Sequence, residues 1–107
     1  MEVKYNIFLP ENVLKGYKKA YQKVEIDWIS PDEFLRETAS YKHVSPYEEK
    51  RKQKLKEKMT SGTPLDPLQI VYDKEGKLWG CQGRHRALAA KDLSIHKIPV
   101  MRLKMRW

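Results

Sequence analysis

Apolar and polar residues alternate with a period of two in several stretches of this chain and recur at helical spacing in others. Val3, Tyr5, Ile7 and Leu9 alternate with Glu2, Lys4 and Asn6, which predicts a strand closed by Pro10, with Phe8 out of step. Val13, Leu14, Tyr17 and Tyr21 then fall at helical spacing, so a helix is expected over residues 11–22, weakened by Gly16. Val24, Ile26 and Trp28 alternate with Glu25 and Asp27 and predict a second strand. Ser30-Pro31-Asp32-Glu33 places a serine cap, a proline at the first helical position and a glutamate at the third, with Ile29 and Phe34 spaced as a hydrophobic staple. The helix it opens should run to about residue 37, followed by a loop over residues 38–44, which show no period.

Ser45-Pro46-Tyr47-Glu48 repeats the same box and opens a helix to about residue 59, whose apolar stripe is only Tyr47, Leu55 and Met59. So thin a stripe predicts an exposed helix, ended by Gly62 and Pro64. Leu68, Ile70 and Tyr72 lead through Asp73-Lys74-Glu75-Gly76 to Leu78-Trp79, a hairpin. Its second strand runs into Gly83, and the Ala87-Leu88-Ala89-Ala90 stretch that follows predicts a helix to Leu93 with Leu88 and Leu93 facing the core. Trp79 is expected in the core ahead of a base-stacking platform, and Cys81 is expected to act as a small buried hydrophobe rather than a nucleophile. A last strand begins at Ile98, where Met101, Leu103, Met105 and Trp107 alternate with Arg102, Lys104 and Arg106. The sum is an α/β (α+β) domain, a small mixed sheet with flanking helices.

Composition narrows this picture. A chain of 107 residues is one domain by size, and the N-terminal strand and helix over residues 1–23 are either an elaboration or the first pieces of the sheet. The formal charge of +8 points to an anionic partner, nucleic acid ahead of a membrane surface. No apolar run approaches the roughly 20 residues of a membrane span and no signal-peptide core opens the chain, so a cytoplasmic protein is expected. A single cysteine excludes a disulfide framework and a cysteine-rich zinc site, and with three dispersed histidines no metal site is expected.

The candidate chemistry concentrates at the strand-to-helix corner. Glycine at 83 lets backbone amides approach a ligand, and the unpaired N–H groups of a first helical turn suit an anion. Arg84, His85 and Arg86 occupy that turn, where the helix dipole disfavours cations unless a phosphate offsets the cost. Arg86 is the first candidate ligand because its planar fork pairs bidentately with anionic oxygens. His85 could donate to phosphate or act as an acid or base, or merely bond to backbone. Elsewhere, Lys50, Lys54 and Lys58 on the exposed helix and Arg102, Lys104 and Arg106 on the last strand could neutralise backbone phosphates. Neither element offers the asparagine or glutamine that would read bases, so contact with DNA should be sequence-independent.

Gly83, Arg86 and Ala89 reproduce the Gly-x-x-Arg-x-x-Ala pattern of the ParB N-terminal domain, and the segments over 65–71 and 93–100 resemble its flanking sequence. The chain therefore resembles the ParB/sulfiredoxin superfamily over residues 24–103. The resemblance implies a nucleotide triphosphate, ATP or CTP, bound at Gly83, Arg84, His85 and Arg86, with Mg²⁺ as a possible companion. Sulfiredoxins place Gly-Cys-His-Arg at this corner; here Arg84 stands where their reactive cysteine would be, which argues against that chemistry. Kinase-like relatives carry an Ile-x-x-x-Glu segment that Ile29 and Glu33 match loosely, giving as alternative a phosphotransferase using ATP or ADP with Glu33 and His85 in catalytic roles. Glu33 reads first as a capping residue. A nuclease ranks last, because Asp32, Glu33, Asp66 and Asp73 form no evident pair. ParB proteins carry a helix-turn-helix domain after this one, for which the chain has no room, so site-specific recognition is not expected.

Overall fold

The computed structural model describes residues 3–6, 16, 19–41 and 47–106. Strand β1 (Tyr21–Ile29) is followed by helix α1 (Pro31–Glu37), helix α2 (Glu48–Ser61), strands β2 (Leu68–Tyr72) and β3 (Leu78–Gln82), helix α3 (Arg84–Asp92) and strand β4 (Ile98–Met105). The strands form one mixed sheet in the order β1-β4-β2-β3. β1 runs antiparallel to β4, β4 parallel to β2, and β2 antiparallel to β3. The α+β class expected from the patterning is the class observed.

Register sorts the side chains onto two faces. Leu68 stands opposite Val100 and Ile29 opposite Ile98, and these join Ile70, Phe34, Met59 and the alanines of α3 in the core beneath the helices. Val24 stands opposite Leu103 and Ile26 opposite Met101 on the other face, where Met101, Leu103 and Met105 are buried. Each fully buried aliphatic side chain contributes roughly 1.5–3 kcal/mol, so these rows, more than helix propensity, hold the sheet.

Local signals explain most boundaries. Ser30 Oγ accepts from the Glu33 amide at 3.1 Å, and Ile29 and Phe34 are both buried, as the capping box and staple require. Thr38 ends α1 with its hydroxyl donating to the Phe34 carbonyl at 2.7 Å, and a 3₁₀ turn over Ala39–Tyr41 replaces the first part of the expected loop. Gly62 caps α2 in the left-handed region at φ 79°. Asp73 Oδ1 accepts from the amides of Glu75 and Lys77, which closes the β2–β3 hairpin.

Four expectations change, and a fifth, the N-terminal strand, falls largely outside the described residues. β1 starts at Tyr21, so Tyr21 and Gln22 are strand rather than the end of a helix; Gly16, Lys19 and Ala20 are helical, and the rest of that predicted helix lies outside the described residues. Of the N-terminal strand, Tyr5 makes a parallel bridge to Leu65, and residues 7–9 are likewise outside, as is Trp107 at the other end. α2 begins at Glu48 behind Tyr47, which makes no side-chain cap; Ser45 and Pro46 are not among the described residues. On α3 the buried residues are Ala87, Ala89 and Ala90, whereas Leu88 is only half-buried. Small side chains let this helix lie close against the sheet, and Leu93 packs at its end as expected. Trp79 is 61% exposed rather than in the core. No helix among the described residues is long and apolar enough to cross a membrane.

Candidate phosphate-binding groove

The corner between β3 and α3 is built around Gly83. Its φ of 118° lies where side chains are strained, and a Cβ there would come within 2.5 Å of Leu68 Cγ. Glycine is therefore required so that the corner can seat on the core strand, whatever the corner binds. From it the chain enters α3 with no side-chain cap and no acidic residue in the first turn. The first intrahelical bond is Ala87 N–H to the Gly83 carbonyl at 2.9 Å, so the amides of Arg84, His85 and Arg86 have no intrahelical acceptor.

This helix end opens onto a groove of about 430 Å³ formed with α2. Arg51, Lys54 and Lys58 line it from α2, and Gln82, Gly83, Arg84, His85 and Arg86 from the corner; no carboxylate does. Positions 51, 54 and 58 follow helical spacing and share one face of α2. The adjacent face is spent otherwise: Lys52 and Lys56 pair with Asp92 at 3.1 and 2.8 Å, clasping α2 to α3. These contacts, Lys56 first and then Lys52, hold the Asp92 carboxyl below its usual range. The row of three facing the groove has no ion-pair partner among the described residues.

The corner cations are fixed by the fold. Arg86 Nη1 donates to the carbonyls of Asp66 and Pro67, the latter at 3.3 Å, tying the segment before β2 to α3. Burial pushes its guanidinium below the usual value, opposed by Asp66 and Tyr5. It therefore has a structural duty besides any ligand, and its remaining nitrogens have no hydrogen-bond partner among the described residues. Arg84 Nε lies 3.4 Å from Glu48 Oε1 at the start of α2, yet both atoms are buried without a hydrogen bond, as is Nε2 of His85. Cys81, behind the corner, is half-buried, and burial pushes its thiol up more than Thr38 and Arg84 pull it down.

The other sequence candidates fall elsewhere. Glu33 sits at the first turn of α1, 3.9 Å from Arg36, and does not line the groove with His85. Lys50 is exposed on α2 away from the groove lining. Arg102, expected to face a nucleic acid, is instead consumed internally: Nη1 and Nη2 donate to the two Glu37 carboxylate oxygens at 2.9 and 3.0 Å, Nε to Asp27 at 3.2 Å, and Nη1 also to the Tyr72 hydroxyl. Its pKa is raised by Glu37 first and also by Tyr72, against a lowering by burial. Lys104 lies beside it in a mixed-charge cleft with Lys23 and Glu25, and Arg106 Nε donates to the Lys19 carbonyl at 3.1 Å. The last-strand trio is thus no common cationic face. Arg51 and Gln82 are groove residues that the patterning did not single out; the spacing of Arg51 to Lys54 and Lys58 is plain in the sequence, but which face of a strongly basic helix turns to α3 is not.

No group of three metal-binding side chains occurs among the described residues. Comparison with protein-family models, with curated proteins and with solved structures returns no match.

Proposed function

We propose that the groove between α2 and α3 binds phosphate groups, those of a nucleotide triphosphate at the start of α3 and those of a nucleic-acid backbone along α2. The observation that carries this is the lining itself: five cationic side chains, Arg51, Lys54, Lys58, Arg84 and Arg86, around an uncapped helix end, with no carboxylate among them. Glu48 pairs with Arg84 alone, so the remaining charges repel one another; a phosphate relieves the repulsion and accepts from the free amides together. The corner is the one that resembles the ParB/sulfiredoxin superfamily, so ATP or CTP is the nucleotide to try first. The lining offers no carboxylate to Mg²⁺, so an ion there would be held by the nucleotide's own oxygens.

Nucleic-acid binding in this scheme is electrostatic and independent of sequence, because the α2 row consists of arginine and lysine at phosphate-contacting positions. The phosphotransferase alternative would need Glu33 beside His85, and Glu33 does not line this groove. Thermal denaturation with inorganic tripolyphosphate, ATP and CTP tests the proposal. Binding to the native state raises the midpoint with ligand concentration, and Lys54→Gln/Lys58→Gln should reduce the rise. No rise with any of the three ligands would reject it.

A further inference from the structure

Trp79 stands out by its exposure, its place in the ladder and its neighbour. It lies on β3, an edge strand of the sheet, and is 61% exposed. It is also the extra residue of a β-bulge: Val71 pairs with Gly80 and Tyr72 with Leu78, which leaves 79 without a partner across the ladder. Bulges at sheet edges re-aim a side chain, and here Leu78 packs toward the core while the indole is left outside. Finally, Gly80 beside it has no positive φ, and a methyl group added to its Cα would meet no atom within 4 Å, so packing does not demand glycine there. A bare glycine on a strand marks either a bulge, as here, or a place where something can approach the backbone.

The same strand leads to the groove. Gln82, which lines it, is three residues on from Trp79, about 10 Å along a strand. Cys81 between them lies within electrostatic range of Arg84. On the other side of Trp79, Lys77 is exposed. An exposed aromatic side chain thus lies on the strand that ends at the cationic groove. Aromatic platforms beside a basic track are how unpaired strands are held, since the bases of a duplex are stacked on one another and cannot stack on a side chain.

We infer that the groove and Trp79 together form a site for single-stranded nucleic acid, the phosphates running through the groove and an unpaired base stacking on the Trp79 indole. This rests on the phosphate-binding proposal above and adds to it a preference for strands over duplex. Stacking reads neither base identity nor the sugar, so DNA and RNA strands should both bind.

The test is fluorescence anisotropy with labelled oligo(dT), oligo(U) and a duplex of equal length, against native protein, Trp79→Ala and Trp79→Phe. Oligo(dT) and oligo(U) should bind native protein more tightly than duplex, and the tighter of the two identifies the strand to pursue. Trp79→Ala should weaken both single strands about 5- to 150-fold, the worth of one stacked base, and leave duplex and tripolyphosphate binding unchanged. Trp79→Phe should recover part of the loss. Because the side chain is exposed, the variant's circular dichroism and melting should match the native protein. Equal affinity of Trp79→Ala and native protein for single strands overturns the inference while leaving the groove intact. Failure of native protein to bind tripolyphosphate or any oligonucleotide overturns both.

Discussion

Arg102 meets two carboxylates and a phenol, whereas Arg51, Lys54 and Lys58 meet no carboxylate among the described residues. Both sets are basic, and in the sequence both looked like surfaces for a nucleic acid. The difference is in their neighbours. Arg102 projects from β4 between Asp27 of β1 and Glu37 at the end of α1, so its charge is cancelled within the fold and ties a helix to the sheet. The α2 row projects over the uncapped start of α3, which carries cations of its own. Basicity that a protein neutralises internally serves stability; basicity left to accumulate around free amides calls for an external anion.

The contrast can be broken most sharply by removing the groove row. Replacing Arg51, Lys54 and Lys58 together by glutamine should flatten the slope of log affinity for duplex DNA against log salt by roughly two to three units, at about 0.9 per phosphate contact. The same titration on Arg102→Gln should give the native slope. If Arg102→Gln flattens it equally, the division between the two regions is wrong.

Next in size is the corner that presents the groove. Gly83→Ala should destabilise the protein by about 3 kcal/mol, since it combines a strained φ with a contact against Leu68. Urea denaturation checks it, and an unchanged midpoint would show that the corner can move away from β2. Arg102→Gln follows, at about 1 kcal/mol lost, because Glu37 and Asp27 lose a bidentate and a single ion pair at the surface. That loss should appear in denaturation with no change in tripolyphosphate affinity. The smallest effect is at Cys81. Burial raises its pKa, so its thiolate forms only at higher pH than that of a free thiol, and its reaction with a disulfide reagent at pH 8 should lag behind glutathione. The gap should narrow as pH rises; a faster reaction than glutathione would mean that Arg84 outweighs burial.

Much of this was legible in the chain because the signals are local. Ile29 to Phe34 carries its cap and staple within six positions, the Asp73 turn closes on its own side chain, and Gly83 announces a corner between two well-patterned segments. What escaped depends on distant partners. Arg102 finds its acids 65 and 75 positions away, so alternation along β4 could assign it a face but not a neighbour. The alanine face of α3 was read by propensity, which favours leucine as a core residue, whereas close helix–sheet approach selects the smaller side chain. Trp79 looked like core because large aromatics usually are, and the bulge that turns it out is a property of the pairing with β2, not of its own strand.

The central claim is that the anion-binding surface is the α2–α3 groove. Titrating tripolyphosphate into isotopically labelled protein and following backbone amide shifts by NMR tests it directly. The amides of Arg84, His85 and Arg86 should move furthest, with smaller shifts at Arg51, Lys54 and Lys58 and none at Lys23, Arg102 or Lys104. Shifts confined to the last group, or spread evenly over all exposed lysines, would contradict it.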